Sequence, residues 1–232
     1  SDVNETAFGL AQLGSELQRK GVLAYLRARG LTTPCLLVVR YDGTPSDVRA
    51  RRSQGRSIVR RHKGVNLGAV PEASWEKHRF STPYLRDQLL REGMIVETME
   101  TSAPWSKVND LHGTISAGIE KAMAERGTPA FVLCHVSHLY ATGCSLYYTV
   151  FAKQEVGAEI AQWKALKSAA SDAIMAGGGT ITHHHAVGTD HAPWLPAETG
   201  QMWLRMLRAA KAEVDPTGIM NPGKLMNGPD RL

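Results

Sequence analysis

The chain has 232 residues, of which 43% are hydrophobic and 21% are charged, with 27 Lys and Arg against 22 Asp and Glu. A chain of this length and composition buries a sizeable core without disulfides or metal, which excludes disordered, collagen-like and miniprotein classes. The net charge of +5 is mildly basic and does not by itself indicate an anionic partner.

The cysteines and the first residues indicate the cellular compartment. Three cysteines without a C-x-x-C pair indicate reduced thiols, and Cys35 and Cys134 lie in apolar runs that predict core positions. Asp2 and Glu5 stand where a signal peptide needs positive charge, and no apolar run approaches the ~18 residues that span a bilayer. We therefore expect a cytoplasmic protein and leave peripheral membrane contact open.

The first third of the chain predicts a helix, a strand and a second helix. Leucines at helical spacing predict a helix over 7–29, and Gly30 is placed to end it. The run Pro34–Tyr41 (PCLLVVRY) is continuous, apolar and β-branched, which predicts a buried strand. A second helix is expected to begin near Ser46.

That second helix holds the one local excess of positive charge. Residues 49–63 contain seven cations, and Arg52, Arg56 and Arg60 form an i, i+4 stripe along one face. Because no aromatic residues are interleaved for base stacking, a nucleic-acid partner is excluded. A solvated face is the expected reading, and docking to an acidic lipid headgroup is the alternative.

The remaining two thirds alternate helices and strands. In chain order the pattern predicts short helices over 71–78 and 82–92, a strand over 94–98, a helix opened by Ser102 and Pro104 that runs to about 126, a hairpin of strands 130–138 and 145–152, a helix over 155–175, a short strand over 180–182 and a helix over 198–214. Four or five strands, several paired antiparallel, indicate an α+β fold in which helices cover an antiparallel sheet.

Three adjacent histidines, His183, His184 and His185, are the most informative feature. On an extended chain neighbouring side chains alternate faces, so His183 and His185 are expected to share a face that His184 opposes. Imidazoles titrate near neutrality, which suits proton transfer at an active site, with exposed loop histidines as the alternative. We expect no metal, because no carboxylate or thiolate lies at ligand spacing nearby in the sequence.

Tyr147 and Arg86 are the other candidates. One of Tyr147 and Tyr148 must face inward, and a tyrosine beside the histidines would make an acid–base pair, with a core aromatic as the alternative. Arg86 lies on an amphipathic helix (YLRDQLL), where its guanidinium suits a phosphate or carboxylate if it points into a site. A solvated arginine is the alternative reading.

Four segments then carry a family resemblance. They are ETSAPW (100–105), YATGCSLYYTV (140–150), GGGTITHHHAVG (177–188) and DPTGIMNPGKL (215–225). In this order and spacing they resemble the C-terminal half of the alkylglycerone-phosphate synthases (alkyldihydroxyacetonephosphate synthases), in the vanillyl-alcohol-oxidase-like flavoprotein superfamily. The tail is generic to FAD-linked oxidases, whereas ETSAPW with the histidine triplet is specific.

The resemblance implies an architecture. FAD would be bound mainly by an N-terminal domain that has no equivalent in this chain. Residues 1–176 would form a cap, or substrate, domain with ferredoxin-like elements, and residues 177–232 would pack toward the FAD-binding domain. The implied partners are that domain and a lipid-phosphate substrate, a homodimer is left open, and the isolated chain is expected to be inactive.

The resemblance also implies a reaction and its residues. Synthases of this type exchange the acyl group of acyl-dihydroxyacetone phosphate for a fatty alcohol through a flavin N5 adduct, a step of ether lipid synthesis. Tyr147, His183, His184 and His185 match the catalytic tyrosine and histidines, and Arg86 matches the arginine near the substrate phosphate.

Two alternatives stay beside the synthase reading. The first is an FAD-dependent 2-hydroxy acid dehydrogenase, whose GHVGDGNxH and AEHGxG stretches hold a divalent metal. Here His135 is retained, but Leu146 or Tyr147 stands at the second ligand position and His184 replaces the glutamate, which favours the synthase. The second alternative is a non-catalytic substrate-binding module.

Overall fold

The computed structural model describes residues 1–11, 15–68, 76, 80 and 84–225. The chain divides into two compact units, one formed by Leu36–Gln88 and the other by Ser1–Cys35 together with the chain from Leu89 onward. The elements are α1 (Val3–Ala11), α2 (Glu16–Ala28), α3 (Pro45–Arg61), α4 (Leu85–Arg91), β1 (Met94–Pro104), α5 (Val108–Glu125), β2 (Phe131–Ser137), β3 (Gly143–Lys153), α6 (Glu159–Ala176), α7 (Leu195–Thr199) and α8 (Gln201–Val214).

The larger unit is built on an antiparallel sheet in the order β1-β3-β2. The register places Tyr147 of the central strand opposite Glu100 of β1 on one side and opposite His135 of β2 on the other. The predicted α+β class with an antiparallel sheet and its β2–β3 hairpin is confirmed, although the described residues form three strands rather than four or five. Tyr147 therefore lies between two ionisable side chains.

Helices α5 and α6 supply the core that covers this sheet. Ile115, Ile119 and Met123 of α5 are fully buried together with Leu166 of α6 and Tyr148 of β3. The α5 residues recur at i, i+4 and i+8, so one face of the helix meets the sheet. Each such side chain contributes roughly 1.5–3 kcal/mol through burial, and this packing holds the sheet rigid beneath the site.

The single helix predicted over 7–29 is wrong, because two helices, α1 and α2, occupy this region. Ser15 starts the second one: its hydroxyl accepts from the N–H of Gln18, while the Gln18 side chain accepts from the N–H of Ser15. This capping box satisfies two backbone donors and sets a new helix start. The predicted end at Gly30 is confirmed, since Gly30 has a φ of 77° directly after the helix.

The buried strand predicted over Pro34–Tyr41 is also wrong. These residues have no strand structure, and Leu37 is 65% exposed. Cys35, predicted to be buried, is exposed, whereas Cys134 is buried as expected. A β-branched apolar run fits a strand only where a neighbouring strand pairs with it, and β1, β2 and β3 pair with one another.

In the smaller unit the helix expected near Ser46 is confirmed as α3. Thr44 caps it by accepting from the N–H of Asp47, and Pro45 occupies the first turn. None of its residues is buried, in agreement with a solvated cationic face. The predicted helix over 82–92 appears as α4, whereas Thr82, Pro83 and, apart from Glu76, the helix over 71–78 lie outside the described residues.

Three predictions in the second half need correction. The helix expected to open at Ser102 and Pro104 begins at Val108, because both residues lie in β1, which continues well past Thr98. The short strand over 180–182 is absent, although the Thr180 N–H donates to Ser102 at 3.1 Å. The last helix is divided at Gly200, whose φ of 79° is outside the helical region.

Candidate functional site

A buried carboxylate, that of Glu100 on β1, organises the site. Its side chain has no exposed surface, and its Oε1 accepts from the backbone N–H groups of His183, His184 at 2.6 Å and His185 at 3.2 Å. The Thr182 hydroxyl donates to the same oxygen at 3.0 Å. A buried charge requires such donors, so the chain from Thr182 to His185 is wrapped around this carboxylate.

The glycine run at the end of α6 brings the triplet to that position. An added Cβ at Gly179 would lie 2.6 Å from the Thr101 hydroxyl and 2.9 Å from Leu111, so only glycine allows this approach to β1. Thr101 Oγ1 donates to the Thr180 carbonyl at 2.6 Å and secures the approach. Close backbone contact just before the histidines therefore fixes where they begin.

The pKa of the Glu100 carboxyl lies below its ordinary value. Burial alone would raise this pKa, but the backbone N–H groups of His184, His183 and His185, together with Thr182, outweigh burial and lower it. Glu100 is consequently ionised at neutral pH. The site contains a fixed negative charge directly beneath the imidazole rings.

The three imidazoles do not alternate as an extended chain would require. The Nδ1 atoms of His183 and His184 lie 3.4 and 3.3 Å from Glu100 Oε2 and 3.3 Å from each other. The expected opposition of His184 to His183 is wrong, because the backbone curls around the carboxylate instead of running straight. The His184 and His185 rings also meet edge to face, with centroids 4.5 Å apart.

Tyr147 joins the histidines as the sequence predicted. Its ring contacts that of His185 at a centroid distance of 5.2 Å and lies 6.3 Å from that of His184. On its other side it stacks on His135 at 5.1 Å. Tyr148, its neighbour, faces the core. The alternation of β3 therefore delivers one tyrosine to the site and one to the core.

Sequence reasoning missed two members of the site. Glu100 had no visible connection to histidines more than eighty residues away, and Tyr140, whose hydroxyl lies 2.9 Å from His183 Nε2, was not singled out. Both residues begin segments that carried the family resemblance, ETSAPW and YATGCSLYYTV. The expectation of no nearby carboxylate considered sequence spacing alone, whereas Glu100 reaches the histidines from strand β1.

Two histidines, His185 of the triplet and His191, have pKa values below the ordinary value. Partial burial lowers the pKa of His185, and burial lowers that of His191, whose Nδ1 lies 3.2 Å from the Ala186 carbonyl. Lowered values favour the neutral imidazole at pH 7, the form that can accept a proton. His185, which reaches the surface but is partly covered next to Tyr147, is thus suited to proton transfer.

Arg86 belongs to a different compact unit from the histidines. It is an exposed residue of α4, within the unit Leu36–Gln88, whereas the histidines and Tyr147 belong to the larger unit. The structure brings together Glu100, Tyr140, Tyr147 and the three histidines. The anion-binding role expected of Arg86 remains a prediction.

The arrangement defines a class of site. Imidazole and phenol groups reach the surface over a buried ionised carboxylate, and the His184 side chain is 40% exposed. Such a set can accept and donate protons at the surface of the chain. The site is therefore one suited to acid–base chemistry.

The chain belongs to the family described as FAD linked oxidases, C-terminal domain, which matches residues 1–225. It is 31% identical over 207 residues to an alkyldihydroxyacetonephosphate synthase of Dictyostelium discoideum, covering 89% of this chain and 34% of the relative. The corresponding enzyme of Trypanosoma brucei brucei is 29% identical over 210 residues, covering 90% and 34%.

A solved structure of an alkyldihydroxyacetonephosphate synthase has the same fold. It superposes with a TM-score of 0.69 at 25% identity, over 95% of this chain and 38% of that one. The chain thus spans about a third of the length of the relatives that it matches. In the part of the chain that the structure describes, no helix has the length and apolarity needed to cross a bilayer.

Proposed function

We propose that this chain is the substrate-binding cap of an FAD-dependent enzyme that makes ether lipid precursors. In the proposed reaction, acyl-dihydroxyacetone phosphate and a fatty alcohol give alkyl-dihydroxyacetone phosphate and a free fatty acid. The observation that carries the proposal is the set of three histidines held against Tyr147 by the buried Glu100 carboxylate. Similarity to synthases with this activity in their names supports the choice of reaction.

The proposed roles follow from position and charge. Tyr147 and His185 exchange a proton with the substrate carbon that loses and regains hydrogen, since their rings are in contact and His185 favours the neutral form. His183 and His184 lie against the Glu100 carboxylate and are the other two imidazoles available for proton transfer. Glu100 therefore positions the histidines and balances charge without touching substrate.

The flavin would be held mainly by a domain outside this chain and would supply the centre that activates the ketone unit for exchange. In this proposal residues 1–176 form the cap and residues 177–232 pack toward the flavin. Arg86 binds the phosphate of the substrate as an anion clamp. The cap alone, without a flavin domain, turns over nothing.

The test uses the full-length protein purified with its flavin. It is mixed anaerobically with acyl-dihydroxyacetone phosphate, and separately with D-lactate or D-2-hydroxyglutarate, while flavin absorbance is followed. The proposal is supported if the phosphate ester bleaches the flavin absorbance and fatty acid is released. Both effects should be lost in Tyr147→Phe and His184→Ala. Reduction by a hydroxy acid alone would overturn it and identify a dehydrogenase with an unusual histidine cluster.

A further inference from the structure

Three ligand-type atoms converge where no metal was expected from the sequence. Glu100 Oε2, His183 Nδ1 and His184 Nδ1 form a triangle whose sides are 3.4, 3.3 and 3.3 Å. Carboxylate oxygen and imidazole nitrogen are the ligands that Zn²⁺ takes in catalytic sites with three protein ligands. We propose that these three residues form a binding site for a divalent zinc-type ion.

The size of the triangle fits this ion. Zn²⁺ binds imidazole nitrogen and carboxylate oxygen at about 2.0–2.1 Å, and the ligands of a regular tetrahedron with such bonds are about 3.3–3.4 Å apart. The three observed separations all have this length. An ion placed about 0.7 Å out of the plane of the triangle is within bonding distance of every ligand, with no side chain displaced.

A second observation comes from the hydrogen bonds of Glu100. All four donors that serve this carboxylate act on Oε1. Oε2 is buried and has no hydrogen-bond partner, and the two ring nitrogens near it lie at 3.3 and 3.4 Å without hydrogen-bond geometry. A buried charged oxygen left in this state is costly, and a cation between it and the imidazoles satisfies it.

The outer contacts also suit a metal. When His183 binds an ion through Nδ1, its Nε2 carries the proton, and the Tyr140 hydroxyl lies 2.9 Å away to accept it. Metal-ligating histidines are usually oriented in this way by a partner of the second ring nitrogen. The fourth tetrahedral position is left for water or a substrate oxygen, the arrangement of open zinc sites.

If the proposed function holds, zinc binding has a consequence for proton transfer. The ion occupies the Nδ1 atoms of His183 and His184, so these atoms no longer accept protons, while His185 stays available. Zinc at this site therefore competes with proton transfer by two of the three histidines. Binding itself depends only on the geometry and is measured without turnover.

The test is titration of the chelator-treated full-length protein with ZnCl₂ by isothermal calorimetry at pH 7.5, because acid weakens metal binding to imidazole and carboxylate ligands. His184→Ala removes an exposed ligand with little risk to folding and should weaken this binding event about 100-fold or more, since loss of an outer contact alone costs 10–100-fold. Tyr140→Phe should weaken it about 10-fold. His62→Ala, outside the site, serves as the control and should leave it unchanged.

Every outcome is decisive. A zinc-binding event that disappears in His184→Ala and in Glu100→Gln, weakens in Tyr140→Phe and persists in His62→Ala supports the site. MgCl₂ should give no such event, because Mg²⁺ requires octahedral oxygen ligands. Absence of zinc binding to the wild-type protein, or binding equally strong in His184→Ala, overturns the proposal. Neither result alters the turnover assay, so failure of this site and failure of the proposed function are distinguished.

Discussion

Replacement of Glu100 tests whether one carboxylate holds the histidine turn in place. In Glu100→Gln the side chain keeps its shape and one oxygen at the Oε1 position, but it loses its charge. Four hydrogen bonds converge on that oxygen. Bonds to a charged acceptor are worth about 1.5–3 kcal/mol each and neutral ones about 0.5–1.5 kcal/mol, so each bond loses about 1 kcal/mol.

The expected loss in unfolding free energy is therefore about 2–4 kcal/mol for Glu100→Gln. Glu100→Ala removes the acceptor altogether and leaves three backbone N–H groups and a hydroxyl without it, for which about 3–5 kcal/mol is expected. Urea unfolding monitored by far-ultraviolet circular dichroism measures both values at pH 7. A larger loss of unfolding free energy in Glu100→Ala than in Glu100→Gln is expected. The difference between the two losses separates the effect of the charge from the effect of the acceptor.

The pH dependence supplies a second readout. The pKa of Glu100 is lower in the folded protein than its ordinary value of 4.5, so the unfolded chain binds its proton first as the pH falls. The stability from Glu100 is present above about pH 4.5 and is lost as the pH drops through the folded pKa. Glu100→Gln should lose this acid-dependent component.

Glu97→Gln is the matched control on the same strand. Glu97 accepts from the indole N–H of Trp163 at 2.6 Å and lies 3.2 Å from the Lys167 ammonium, away from the histidines. This variant should keep the acid-dependent component that comes from Glu100. The reasoning is refuted if Glu100→Gln stays within 0.5 kcal/mol of the wild type at pH 7, or if its acid dependence equals that of Glu97→Gln.

Three further predictions follow from the same structure. Gly179→Ala should lower unfolding free energy by about 1–3 kcal/mol, since its Cβ would lie 2.6 Å from Thr101 Oγ1, and an unchanged urea midpoint would contradict this close approach. Folded-state pKa values of His185 and His191 below the ordinary 6.5 mean that stability falls as the pH drops below about 6.5; thermal melts of His191→Gln should show a weaker fall between pH 7 and 5.5. Ile119→Ala, at a position with 0% exposure, should cost about 2–5 kcal/mol in urea unfolding, whereas exposed Ile160→Ala should change stability by less than about 0.5 kcal/mol.

The start of α3 and the hairpin could be predicted because local chemistry decides them. Thr44 caps the start of α3 and Pro45 occupies its first turn. Two apolar runs on either side of a glycine-containing turn predict the β2–β3 hairpin. The run Pro34–Tyr41 misled for the opposite reason. Its composition favours a strand, but strand formation depends on a partner elsewhere in the chain, and composition carries no information about that partner.

Only part of the site could be predicted from the sequence, for a related reason. His183, His184, His185 and Tyr147 could be found because residue type and adjacency suggest proton chemistry. Glu100 could not be connected to them, since its contact depends on β1 passing beside the glycine run, a tertiary fact. The same contact overrode the alternation expected of an extended chain and turned His183 and His184 toward one oxygen.

One carboxylate therefore explains both the geometry and the electrostatics of the cluster. Oε1 fixes the backbone of the triplet through its N–H groups, and Oε2 faces the two ring nitrogens. A residue with only one acceptor could do one of these things but not both. Glutamate at position 100 thus links the fold of the turn to the placement of its ring nitrogens, so substitution there should alter stability and zinc binding together. Substitution of an exposed ligand such as His184 should alter only zinc binding.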